Sequence, residues 1–245
     1  MAYARRECGG GRPGRPHGGT VTRGLSALAR QAAAKTRAVS GRVHDHAVVT
    51  PLIGLAAARE ECGTDILLKC EHQQKTGSFK VRGALAKLLS LGEGQRDRGV
   101  VAASSGNHGL EVAYALSAAG GTEIVCVPEH ASPVKVAAIR RYGVDVRVVG
   151  QEPAETERLA RLWAAEAEMS YISPYNDLDV IAGQGTVGEE IVQQLGARAV
   201  DALPTISDGT AGGVEEGSIT LPLCTELVDE WVLIEEPEIC SASSS

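Results

Sequence analysis

From Gly99 onward, short apolar runs alternate with amphipathic ones, and this alternation leaves the chain very few folds. GVVAAS, EIVCVP, VDVRVVG and MSYISPY read as buried strands. Between them lie three helical stretches. The first, 107–119, stops at Gly120-Gly121. The second opens on Ser132 as N-cap with Pro133 at its first position, and stops at Gly143. The third is 153–168. Strands that each feed a helix through a few residues cannot pair as hairpins. They run parallel, and helices on both faces keep them almost wholly apolar.

The flanks repeat the pattern less fully. Leu25, Leu28, Ala29, Ala32 and Ala33 place a helical stripe that ends near Ser40-Gly41. DILLKCE (65–71) reads as a strand, 79–91 and 185–195 as helices, and AVDAL (199–203) as a strand. The expected fold class is α/β with two parallel-sheet lobes. The small lobe, 99–172, is nested in a large one, 23–98 plus 173–245. The crevice at the carboxyl ends of the strands is then the expected ligand site.

Charge narrows the function. The net charge of −7 is unevenly spread: residues 1–42 hold nine basic residues against Glu7, and from Asp201 onward there are ten acids and no Lys or Arg. An acidic body lacks the basic surface a nucleic-acid partner requires. No apolar run approaches the ~18 residues of a membrane span. Residues 1–22 lack periodicity and read as a disordered basic head. They are Arg-rich as transit peptides are, but not Ser-rich, which favours a cytoplasmic location over an organellar one. Six cysteines without CxxC spacing suit an intracellular protein with reduced thiols and no metal site.

Two stretches carry chemistry. In EHQQKTGSFKVRGA (71–84), Lys80 follows Phe79 at a strand–loop–helix junction. By position alone Lys80 is either a solvated surface lysine or, in a crevice, a desolvated amine fit for Schiff-base chemistry. In Ser104-Ser105-Gly106-Asn107-His108-Gly109 a strand turns into a helix. That is either an ordinary capped turn or an anion site built from backbone N–H groups.

KTGSFKVRGA resembles the pyridoxal-phosphate lysine motif of the serine/threonine dehydratase family, of the tryptophan-synthase-like fold type, which includes serine racemase. SSGNHG is similar to that family's substrate-carboxylate loop. PYNDLDVIAGQGTVGEEI (174–191) resembles the segment closing its nested lobe, and SDGTAGGVEEGSITLPLCTELVD (207–229) a late segment. The resemblance runs from about Leu25 to Ile239. It implies pyridoxal 5′-phosphate as cofactor, joined to Lys80 as an imine, with Phe79 packed on the pyridine ring and Asn107 reaching the 3′ oxygen. It implies Ser104, Asn107 and His108 as holders of the substrate carboxylate, Lys80 as the base at Cα, and Ser105 on the opposite side of the substrate. The implied reaction is deamination of L-threonine or L-serine to 2-oxobutanoate or pyruvate and ammonia. His108 in SSGNHG points to the dehydratase/racemase branch, and serine racemase is the alternative activity. Association of like subunits is left open.

The pattern breaks at Leu203-Pro204. There the family runs into a glycine loop, usually four glycines, that binds the cofactor phosphate. That loop, the family's divalent-cation ligands and its last stretch have no counterpart, so the large lobe is expected to be incomplete. Gly209, Gly212 and Gly213 are the glycines nearest the break, but Glu215 and Glu216 follow and repel a phosphate. The resemblance therefore also admits an inactive truncated paralogue that acts only by subunit association.

Overall fold

The computed structural model describes residues 26–56, 60, 63, 65–104, 106–197 and 217–227. The basic head, Ser105, the strand expected at 199–203 and the glycines at 209–213 lie outside the described residues.

Four strands form one parallel sheet: β3 (Val100–Ala103), β4 (Glu123–Val127), β5 (Asp145–Val148) and β6 (Ser170–Tyr171). Their order is β5-β4-β3-β6, with Val101 opposite both Ile124 and Tyr171. The crossovers are α4 (Asn107–Ala119), α5 (Pro133–Arg140) and α6 (Pro153–Glu166). Alternation along β3 sorts its side chains. Val100 and Ala102 pack with Val112 and Leu116 of α4, while Val101 joins Ala160 and Ala164 of α6 on the far face. Helices cover both faces, so β3 has no polar side, as its sequence requires. Each such Val or Leu, once buried, contributes about 1.5–3 kcal/mol.

Against this sheet, through α4, sits a helical layer. It comprises α1 (Ala27–His44), α2 (Lys80–Ser90) and α7 (Leu178–Leu195). Ser26 Oγ caps α1 by accepting from the Ala29 N–H, and the Asp177 carboxylate caps α7 by accepting from Asp179 and Val180. The crossing of α2 and α7 is tight: a Cβ on Gly183 would lie 2.2 Å from the Arg82 carbonyl oxygen. The layer is completed by β1 (Leu52–Gly54) and β2 (Leu67–Lys69), with α3 (Glu93–Arg98) leading into β3 and α8 (Thr220–Leu227) following later.

A buried ionic network ties this layer together. The fully buried Arg82 guanidinium donates to Glu71 (2.9 Å from both Nε and Nη2) and to Glu190 (2.6 and 3.0 Å). Lys69 Nζ reaches the same Glu190 at 2.5 Å, and His44 Nε2 lies 2.8 Å from it. Burial alone would raise the Glu190 carboxyl, but Arg82 and Lys69 outweigh it and hold the group below its ordinary range.

Several boundaries differ from the sequence reading. α7 starts at Leu178 rather than 185, because Gly183 and Gly185 serve helix approach and are not breakers: a Cβ at Gly185 would meet Thr36 Oγ1 at 2.6 Å. α1 runs past Gly41 to His44. The strand expected over 65–71 shrinks to β2, which pairs antiparallel with β1, a partner too short to show a period. The outer segment's described strands are thus antiparallel, and the parallel sheet is the one formed by β3 to β6.

Candidate functional site

Lys80 is the first residue of α2, and its N–H lies 3.3 Å from Ser78 Oγ, which closes the turn before the helix. Its side chain is half-buried. Among the described residues its ammonium group has neither an ion pair nor a hydrogen bond. Its neighbour in sequence, Phe79, leaves 38% of its surface exposed.

The second component lies where β3 gives way to α4. Ser104 Oγ accepts from the Gly106 N–H at 3.1 Å, and the Ser104 N–H is held by the Cys126 carbonyl at 3.0 Å. The turn folds back closely on the helix, so that a Cβ at Gly109 would lie 2.7 Å from the Ser104 carbonyl. Asn107 is exposed in the first turn of α4 and His108 is buried. His108 Nε2 lies 3.0 Å from the Ile172 carbonyl and donates to it. Burial, reinforced by the positive charge of Lys80, pushes the imidazole down to about 4, so the ring is neutral at ordinary pH.

α2 and α4 pack against each other, which brings Lys80 into electrostatic reach of His108 and of a residue the motifs did not single out, Glu111. Glu111 is fully buried and lies beside the Ser78 and Thr76 hydroxyls, with no hydrogen bond of good geometry to either carboxyl oxygen among the described residues. Burial pushes Glu111 up to about 8, with Ser78, Lys80 and Thr76 opposing the shift. The signal in the sequence was an acid inside the apolar run LEVAYAL, four residues after Asn107 and so on the same helix face.

Ser104, Asn107 and His108 therefore share one turn, with Lys80 across the α2–α4 contact. Ser105 is outside the described residues. Among the described residues no group of three His, Cys, Asp or Glu side chains could hold a metal ion, and no helix is long and apolar enough to cross a membrane.

An aldehyde cofactor needs a lysine amine that no counter-ion claims, and polar groups free to receive its substituents. Lys80, without an ion pair among the described residues and with the Thr76 and Ser78 hydroxyls on the loop before it, fits that end of pyridoxal phosphate. Any seat for the phosphate at 203–213 lies outside the described residues.

Comparison with known proteins agrees. The family model for pyridoxal-phosphate dependent enzymes matches residues 43–203. An L-threonine ammonia-lyase of Thermotoga maritima is 39% identical over 165 residues, 67% of this chain and 41% of that protein. A serine racemase of Schizosaccharomyces pombe is 35% identical over 179 residues, 73% of this chain and 54% of its own length. The processed threonine deaminase isoform 2 of Solanum lycopersicum superposes with a TM-score of 0.65 at 32% identity, over 68% of this chain and 46% of that one. The chain thus spans about half the length of the relatives it matches, or less. With the family model covering well over half of the chain and a parallel α/β fold shared with these enzymes, the chain belongs to the pyridoxal-phosphate-dependent enzyme family, alongside threonine dehydratases and serine racemases.

Proposed function

We propose that the chain carries the lysine and the carboxylate-binding turn of an ammonia-lyase that deaminates L-threonine or L-serine. The observation behind this reading is a lysine amine without an ion pair among the described residues, set across a helix contact from a helix N-terminus whose N-cap, Gly106, provides no side-chain cap.

Pyridoxal phosphate, when bound, supplies the electron sink that lets the bond between Cα and hydrogen of an amino acid break. Lys80 would hold the group through Nζ, and its amine would serve as the base at Cα. Phe79 offers a flat apolar face to a planar ring. Asn107, exposed on the first turn, would serve the cofactor's 3′ oxygen and the substrate carboxylate. Ser104 and the α4 N-terminus bind that carboxylate through a hydroxyl, backbone N–H groups and the positive end of the helix dipole. With its Nε2–H committed to Ile172, His108 serves the carboxylate site by bracing this turn. Ser105, by its place in the motif alone, is assigned the second acid/base that a racemase needs. The lobes are assigned as 99–172 nested within the flanking segments.

A second reading rests on the Leu203-Pro204 junction and the acids after it: a chain that binds cofactor weakly and acts only with other subunits. One titration separates the two. The purified chain is titrated with pyridoxal phosphate, following the visible absorbance of lysine-bound cofactor, and then given L-threonine or L-serine while 2-oxo acid is measured. Absorbance and product that both vanish in Lys80→Ala support the lyase. Wild-type chain without absorbance at millimolar cofactor supports the second reading, and product retained by Lys80→Ala refutes the assignment of Lys80.

A further inference from the structure

The turn that leads to Lys80 is fastened by a side chain to which the lyase chemistry gives no part. A connector, 45–51, joins α1 to β1, and Val48 near its centre presents an N–H and a carbonyl. The buried Gln74 meets both: its Oε1 accepts from the Val48 N–H at 3.0 Å, and its Nε2 donates to the Val48 carbonyl at 2.5 Å. This is the exchange a strand residue makes with its partner, and it fixes which end of the amide is the oxygen. The same Oε1 accepts from the Lys75 N–H at 3.3 Å. The chain then reverses. The Gly77 N–H donates to the Gln74 carbonyl at 2.9 Å, and Gly77 takes a φ of +79° that a glycine adopts without strain. Lys80 follows three residues later.

The connector is itself held from several sides. Arg82 Nη2 donates to the same Val48 carbonyl at 3.1 Å. Lys69 Nζ and Gln194 Nε2 donate to the Thr50 carbonyl at 2.6 and 2.9 Å. The Tyr114 hydroxyl, on α4, donates to the His46 carbonyl at 3.0 Å. It is thus tied to both α2 and α4, the helices whose first turns carry the candidate site.

We propose that Gln74 is a positioning residue for Lys80: its amide hangs the turn 74–77 on the connector and so holds the lysine in place relative to the N-terminus of α4. Glu71, clamped by Arg82, fixes the start of the same segment, and α2 fixes its end. Between them the turn keeps only its Gly77 hydrogen bond once the amide is removed. The bearing on catalysis rests on Lys80 being the cofactor lysine, whereas the anchoring of the turn stands independently of that reading.

The test uses the full chain and two readouts. The first is amide hydrogen exchange by NMR without cofactor. In the wild type, Val48 and Lys75 should exchange at least about tenfold more slowly than in an unstructured chain. Gln74→Met, of the same length but without the polar end, should lose that protection at Val48, Lys75 and Gly77 and keep it at Leu85 in α2. Gln74→Glu keeps the acceptor and should retain part of it. The second readout is the lysine that captures the cofactor. The chain is mixed with limiting pyridoxal phosphate and reduced with borohydride, and the adducts on Lys80 and the exposed Lys75 and Lys135 are compared by peptide mass spectrometry. Gln74→Met should lower the Lys80 share by about tenfold, the loss of one or two hydrogen bonds expressed as a binding ratio, and Gln74→Glu should recover part. An unchanged Lys80 share in Gln74→Met overturns the proposal and leaves the lyase reading standing. Wild-type chain without a Lys80 adduct, but with exchange that responds to Gln74→Met, keeps the anchoring and removes the lyase reading. The wild-type exchange does not depend on any variant folding: Val48 and Lys75 amides that exchange as in an unstructured chain are fatal to the proposal.

Discussion

Replacing Glu111 with Gln should make the chain lose stability as pH falls from 7 to 5, and replacing His108 with Gln should make it gain. The two side chains lie three residues apart on α4, both buried, and their protonation is linked to folding with opposite signs. Burial lowers His108 from an ordinary 6.5 to about 4. The unfolded chain therefore takes up that proton first, and stability drains away as pH drops below 6.5, until the folded form protonates near 4. Between pH 7 and 5 this amounts to about 2 kcal/mol. Glu111 is raised from 4.5 to about 8, so the folded form is the first to bind the proton. Its contribution is fully present below 4.5 and is lost as pH rises through 8; from pH 7 to 5 stability grows by about 2.5 kcal/mol. In the wild-type chain the two trends nearly cancel. Urea unfolding followed by far-UV circular dichroism at both pH values, for the wild type and each variant, reads them separately. Other titrating groups drop out of the differences between proteins. With a slope of about 2 kcal/mol per molar urea, each variant's midpoint should move by about 1 M relative to the wild-type trend. Three proteins with the same pH dependence, within about 0.5 kcal/mol, would refute the opposed burial of these groups.

Two further perturbations test the packing. Arg82→Leu leaves Glu71 and Glu190 without their shared guanidinium and should cost about 3–5 kcal/mol, toward the lower figure because Lys69 and His44 remain on Glu190; urea unfolding at pH 7 reads it. Gly183→Ala drives a methyl group against the Arg82 carbonyl and should destabilise by about 1–3 kcal/mol. Gly188→Ala on the same helix meets nothing within 4 Å and should be neutral or stabilising by up to about 1 kcal/mol, so equal losses at both positions would contradict the tight α2–α7 crossing.

The parallel core was legible because β3 and β4 announce themselves by near-continuous apolar runs punctuated by Gly120-Gly121 and Gly143. Lys80 and SSGNHG stood out through their likeness to family motifs, since by position alone each also reads as a surface lysine or an ordinary capped turn. What escaped notice depends on contacts distant in sequence. The first turns of α7, with Gly183, lay outside the helix expected over 185–195, and the close approach of α2 explains that glycine. The β1–β2 pair spans three residues a side, too few for a period to emerge. Glu111 is singled out by no motif, and it is buried where α2, from another part of the chain, packs on α4. Arg82, two residues after Lys80, gave no hint that its partner would be Glu190.

That last pairing has a consequence for how the molecule comes into being. Arg82 and Glu190 are 108 residues apart. At synthesis rates of about 5–20 residues per second, roughly 5–20 seconds separate their appearance on the ribosome. Throughout that interval α2 has Glu71 but lacks Glu190, the second acid on its buried guanidinium. The β3–β6 sheet, whose strands and crossovers are all made within the interval, is free to form first and becomes the template on which the earlier-made segment docks when α7 arrives.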